Sequence, residues 1–148
     1  MTNQSNILGR AYEFKCIKTL YEEIAKVRPV VIKKNDTYIV AKECWDIIDE
    51  ELRQKFHMSS LAAVNSLIQL EPIIIQKSEE TIVLKMQKDS EGEIGDVRDI
   101  IVACDNINYE IGLSIKHNHF AVKHSRLSRG LDFGEKWFRN KMFAKLLE

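Results

Sequence analysis

Asp99 and Lys116 are the residues of this chain whose types and spacing point most directly to chemistry. Between them lie two runs that read as short strands, residues 99–103 and 109–117, joined by Cys104-Asp105-Asn106-Ile107-Asn108. Asp and Asn side chains bond to nearby backbone and tolerate positive φ, so this joint reads as a tight loop. The second run alternates. Tyr109, Ile111, Leu113 and Ile115 point one way, and Glu110, Gly112, Ser114 and Lys116 the other. Antiparallel pairing sets Ile100 and Val102 opposite Leu113 and Ile111, because a one-residue slip would bury the wrong set. The same parity puts Asp99 on the face of Ser114 and Lys116, and Asp96 on the other side unless a bulge intervenes.

A carboxylate supplies the oxygen that a hard divalent cation takes. A lysine beside it can steady charge developing on a phosphate or orient an attacking water. The pairing therefore suggests phosphodiester chemistry. On spacing alone a plain solvent-facing hairpin is the commoner reading, since short motifs recur by chance.

The wording of the segment narrows the choice. GDVRDIIV followed by EIGLSIKHNHFAVKHSRLS resembles the HaeIII-type family of type II restriction endonucleases, within the PD-(D/E)xK nuclease superfamily. The likeness is close over about 35 residues and looser at the start of the chain. It implies an α/β (α+β) fold with a restriction-endonuclease-like core, a central mixed sheet whose β-hairpin carries the site, and flanking helices. In that superfamily an Asp opens the middle strand and a (D/E)xK tripeptide lies on the next. Carried over, Asp99 is the first carboxylate and Lys116 the lysine. Gly9-Arg10-Ala11-Tyr12-Glu13-Phe14 also resembles the opening helix of these nucleases, where a glutamate often approaches the metal.

Two positions depart from the pattern. Arg98 stands where the proline would be, and Ser114 replaces the second acid, giving Ser114-Ile115-Lys116. Glu110 is on the correct face, but four residues at about 3.3 Å each put it roughly 13 Å from Ser114, too far to share one metal directly. Glu13 and Asp96 are then the candidates for the missing acid. The resemblance implies Mg²⁺ held by Asp99 with Asp96 or Glu13, the Ile115 carbonyl as another oxygen, Lys116 on the water or phosphate, and Ser114 as a polar support. It further implies double-stranded DNA as substrate, GGCC as target, a homodimer, and a companion DNA methyltransferase in the same cell. An alternative keeps the nuclease scaffold as a catalytically inactive or truncated DNA-binding module, which Ser114 favours. A third, a structure-selective nuclease, is less consistent with Ser114, because the resolvase and repair branches usually keep an acid there.

At 148 residues the chain fits one domain, residues 1–148, with a helical insertion at about 41–70. Apolar residues make up 45% and charged residues 30%, ordinary for a globular protein. No apolar run approaches a membrane span and the N-terminus lacks a signal core, so a cytoplasmic location without membrane contact is expected. Cys16, Cys44 and Cys104 are odd in number and lack CxxC spacing, which points to reduced, buried thiols. The formal net charge of zero excludes a protein that coats DNA by bulk charge, yet leaves room for a local basic surface. Residues 112–129 are such a segment, with no acid. Its His117, Asn118, His119, Lys123, His124, Arg126 and Arg129 are candidate DNA contacts. The three histidines lack an acid or Cys at zinc-ligand spacing, and the adjacent letters HNH lack the spread of that nuclease motif.

Periodicity predicts the supporting elements. A first helix covers residues 6–27, and a small hairpin covers 30–40 with its turn at Asn35-Asp36. A helix covers 41–56, with His57 in a joint and Trp45 in the apolar stripe. Another runs from a Ser59 or Ser60 cap to Leu70. Residues 72–75 and 81–87 read as β-rich, at least one of them the strand before the hairpin, 88–93 as a polar loop, and 131–147 as a last helix. No strand-like run follows that helix, so the usual final strand of the core is expected to be missing. The chain then reads as an N-terminal portion or truncated relative.

Overall fold

A computed structural model describes residues 4–88 and 98–116 of the chain. Its described elements are helix α1 (Gln4–Ala25), strand β1 (Val30–Lys33), helices α2 (Asp36–Ile47) and α3 (Glu50–Leu70), a 3-10 turn (Pro72–Ile75), and strands β2 (Ile82–Met86), β3 (Ile100–Cys104) and β4 (Tyr109–Leu113). They form an α+β fold around one mixed sheet, as a restriction-endonuclease-like core requires.

The sheet order is β1-β2-β3-β4, with β1 parallel to β2 and the two later pairs antiparallel. A parallel neighbour needs a long crossover, and α2, α3 and the 3-10 turn supply it. Alternation decides which face is covered. Ile82, Leu84, Met86, Ile100, Val102 and Cys104 are all buried, and they pack with Ile17, Leu20 and Ile24 of α1 in one core. The partners Ile100↔Leu113 and Val102↔Ile111 are those the alternation predicts.

Four expected elements are corrected. The segment after Val30–Lys33 is not a hairpin. Asn35 caps α2 by accepting from the Tyr38 N–H at 3.0 Å, and its Nδ2 donates to the Met86 carbonyl at 2.9 Å. Asn35-Asp36 thus works as a helix start, a role open to the same residues that favour turns. The break expected near residues 57–59 lies instead at 48–49, where Ile48 is extended and Asp49 accepts from the Leu52 N–H at 2.8 Å. Glu50 and Glu51 then sit in the first turn of α3, where the helix dipole favours them. Helix α3 runs through His57 and Ser60 without interruption. Ser60 is fully buried; its hydroxyl bonds to the His57 carbonyl at 2.9 Å and meets the Thr19 hydroxyl at 2.9 Å, so it serves packing and not a cap. Pro72-Ile-Ile-Ile75 is a 3-10 turn with the proline in its first position, and Ile74 is fully buried.

Arg28 closes the end of the sheet remote from Asp99. It is 6% exposed, and its guanidinium donates to the carbonyls of Glu80 (2.8 and 3.2 Å), Ile73 (3.1 Å) and Gln76 (3.4 Å). The Ile73 carbonyl also accepts the Gln76 N–H at 3.3 Å, and one fork ties it to the carbonyls of Gln76 and Glu80. Trp45 packs beside Phe14 with ring centroids 6.0 Å apart, consistent with its place in the apolar stripe. All three cysteines are free and buried. Among the described residues no helix is long and apolar enough to cross a membrane.

Candidate active site

The loop of the β3–β4 hairpin is a short 3-10 turn, Asp105–Ile107, closed by Asn108 in the left-handed region at φ 52°. That conformation is one that Asn tolerates. The loop fixes the register, and the register brings Asp99 to the first residues beyond β4. The Asp99 N–H donates to the Leu113 carbonyl at 2.8 Å, and the Gln87 N–H donates to the Asp99 carbonyl at 2.8 Å. The Asp99 backbone is thereby clamped between β2 and β4. Regular strand structure ends at Leu113, and Ser114–Lys116 continue without it. Past that point the Asp99 side chain takes over the pairing, with Oδ2 accepting from the Ile115 N–H at 2.5 Å.

Lys116 Nζ stands 3.9 Å from the same Oδ2. The Asp99 side chain is 24% exposed and that of Lys116 is 56% exposed. So loose a pair contributes little to stability. The lysine remains able to reach another oxygen. Both contacts of the carboxylate fall on Oδ2, and among the described residues Oδ1 accepts no hydrogen bond. A half-buried carboxylate whose position is fixed by a backbone hydrogen bond suits a hard cation. Mg²⁺ in particular is often held by one or two carboxylates with water and phosphate completing the shell.

Ser114 and Lys116 are exposed, while Ile111, Leu113 and Ile115 are half-buried, as the alternation predicts. Below this edge a cavity of about 280 Å³ is lined by Cys16, Leu20, Val64 and Leu67 together with Ser114 and Ile115. Helix α1 thus passes close to the end of β4, and Glu13 lies on that helix one turn before Cys16. Glu13 itself lines a different pocket, with Ser5, Asn6, Gly9 and Arg10. Burial pushes the Cys16 thiol up to about 12, and the Glu13 charge adds to that rise. Among the described residues no group of three or more His, Cys, Asp or Glu side chains is placed to hold a metal ion. Asp96 and the candidate DNA contacts His117, Asn118, His119, Lys123, His124, Arg126 and Arg129 lie outside the described residues, as do the polar loop after Lys88 and the helix expected at 131–147.

The structure adds one group that spacing alone does not reveal. Arg98 crosses the polar face of β4, and its Nη1 meets Glu110 Oε1 at 2.6 Å. Its stem fills the space above Gly112, where any Cβ would overlap the Arg98 Cγ and Cδ. The available signal was the glycine in mid-strand, which often marks a close approach.

Comparison with known proteins bears on this geometry. The model of the HaeIII restriction endonuclease family matches residues 9–143. The type II restriction enzyme HaeIII of Haemophilus aegyptius is 47% identical over 139 residues, which are 94% of this chain and 43% of that protein. The chain therefore spans less than half the length of this curated relative. No solved structure matches it. The match runs through α1, the whole sheet and the Asp99–Lys116 hairpin, and the chain belongs to the HaeIII restriction endonuclease family.

Proposed function

We propose that this chain carries the cleavage centre of a type II restriction endonuclease that hydrolyses double-stranded DNA with Mg²⁺, using an SxK version of the PD-(D/E)xK site. The observation that carries the reading is the approach of Lys116 to Asp99 within 3.9 Å on the hairpin shared with the family. Asp99 is the principal oxygen ligand, with Glu13 or Asp96 as second acid. Mg²⁺, when bound, polarises the phosphate and lowers the pKa of a bound water. The Ile115 N–H keeps the Asp99 carboxylate oriented. Lys116 aligns the attacking water or balances charge on the phosphorane, and the Ser114 hydroxyl supports it. The water oxygen bonds to phosphorus as the bond to the 3′ oxygen breaks, leaving a 5′-phosphate and a 3′-hydroxyl.

The target proposed is GGCC, read by a homodimer whose two-fold axis matches the palindrome. The basic residues from His117 to Arg129 supply phosphate contacts. A cytoplasmic setting and a partner methyltransferase belong to the same reading.

The test is incubation of the purified chain with plasmid DNA, with Mg²⁺ and separately with EDTA. Expected are Mg²⁺-dependent fragments whose ends all map to GGCC, abolished by Lys116→Ala with DNA binding retained. Cleavage by Lys116→Ala at the parental rate would refute the role of the lysine. A second reading, a binding module without chemistry, is favoured by Ser114 at the position of the usual acid. Intact plasmid with salt-sensitive binding would select it.

A further inference from the structure

The polar face of β4 holds a second cation that the pairing of Asp99 with Lys116 does not use. Arg98 directly precedes Asp99, and its stem lies over Gly112 on the side of the sheet where Glu110, Ser114 and Lys116 project. Residues of one strand face repeat every ~7 Å. Held by Glu110 at 2.6 Å, the guanidinium therefore lies roughly 7 to 13 Å from Ser114 along that row. A glycine inside a strand weakens it, and an ion pair with side chains 36% and 56% exposed returns little. What the pair achieves is placement. The guanidinium is seated in a defined position beside the candidate cleavage centre, and its planar fork matches phosphate geometry.

We propose that Arg98 contacts a DNA phosphate next to the one at Asp99 and Lys116, with Glu110 and Gly112 forming its seat. This rests on the nuclease reading above. Arg98 fixes the strand along the row Glu110–Gly112–Ser114, so that the neighbouring phosphodiester falls at the carboxylate and the lysine. Because the contact is to phosphate, it contributes affinity on any sequence and not choice of sequence.

The experiment is DNA binding by the full chain across a range of salt, without Mg²⁺, on GGCC-containing and GGCC-free duplexes. Arg98→Gln keeps most of the stem over Gly112 and removes the charge. It should weaken binding several-fold on both duplexes and lower the slope of log affinity against log salt by about one. Gly112→Ala removes no charge but displaces the Arg98 stem, and it should lower the slope in the same way. A parental slope in either variant overturns the inference. So does an equal slope change in Lys42→Ala, which removes a cation paired with Asp46 on α2. If the parent binds neither duplex at any salt, the nuclease reading falls together with the inference; if only the variants match the parent, the inference alone falls.

Discussion

Asp99 accepts a hydrogen bond from the Ile115 N–H at 2.5 Å, so this carboxylate completes the hairpin as well as facing the site. The two roles separate by substitution. Asp99→Asn keeps an oxygen for the Ile115 N–H and should unfold within about 1 kcal/mol of the parent, whereas Asp99→Ala leaves that N–H without its partner and should cost about 1–3 kcal/mol. Both should lose Mg²⁺-dependent cleavage. Denaturant melts beside plasmid assays distinguish the roles, and an active Asp99→Asn protein would contradict the proposed ligand.

Arg28 is the corresponding staple at the other end of the sheet. Arg28→Ala should destabilise the fold by about 2–4 kcal/mol, because the carbonyls of Ile73, Gln76 and Glu80 lose a charged donor together. Arg28→Lys should recover less than half, since an ammonium cannot reproduce the planar fork. Urea unfolding measures both, and a lysine variant as stable as the parent would show that charge alone suffices.

Asn108 sets the register that aligns Asp99 with Lys116. At φ 52° a β-branched residue is strained, so Asn108→Val should cost about 1–2 kcal/mol, while Asn108→Gly should be close to neutral. Cleavage should fall further in the valine variant than its loss of stability explains, because a shifted loop separates Asp99 from Lys116. Equal stability of the two variants would show that the loop does not hold this conformation in solution.

Burial raises the Cys16 thiol from its ordinary value of 9.0 to about 12. The folded chain therefore holds this proton more tightly than the unfolded one. Its contribution to stability is fully present below about pH 9 and is lost as pH rises towards 12. Tyr109, raised first by burial and then by the charge of Glu71, acts in the same direction. Cys16→Ala should flatten part of the alkaline loss of stability, read from melting temperatures between pH 8 and pH 11. An unchanged slope would mean that Cys16 ionises as freely in the fold as out of it.

The hairpin and its polar face were legible in the sequence because strand alternation has a period of two. Ile100 and Val102 set against Leu113 and Ile111 is the pairing that this period predicts. The helical half was read less well for a reason visible in its residues. The apolar stripe from Ala41 to Phe56 continues across Asp49, so periodicity hid a cap that only the side-chain bond to the Leu52 N–H discloses. Ser60 misled in the opposite direction, since a buried serine satisfied by Thr19 and by the preceding turn has the composition of a cap. Arg98 was seen only as a substitute for proline. Its path over Gly112 depends on a cross-strand approach, which the mid-strand glycine marks without naming the side chain that makes it.

The shared space of Arg98 and Gly112 also ties together the histories of two positions. A side chain at 112 and a long stem at 98 cannot occupy the same volume, so neither position can change freely. Across an alignment of the family, sequences with a residue larger than glycine at 112 should carry a short side chain at 98. Lineages passing from one state to the other should shrink residue 98 before enlarging residue 112.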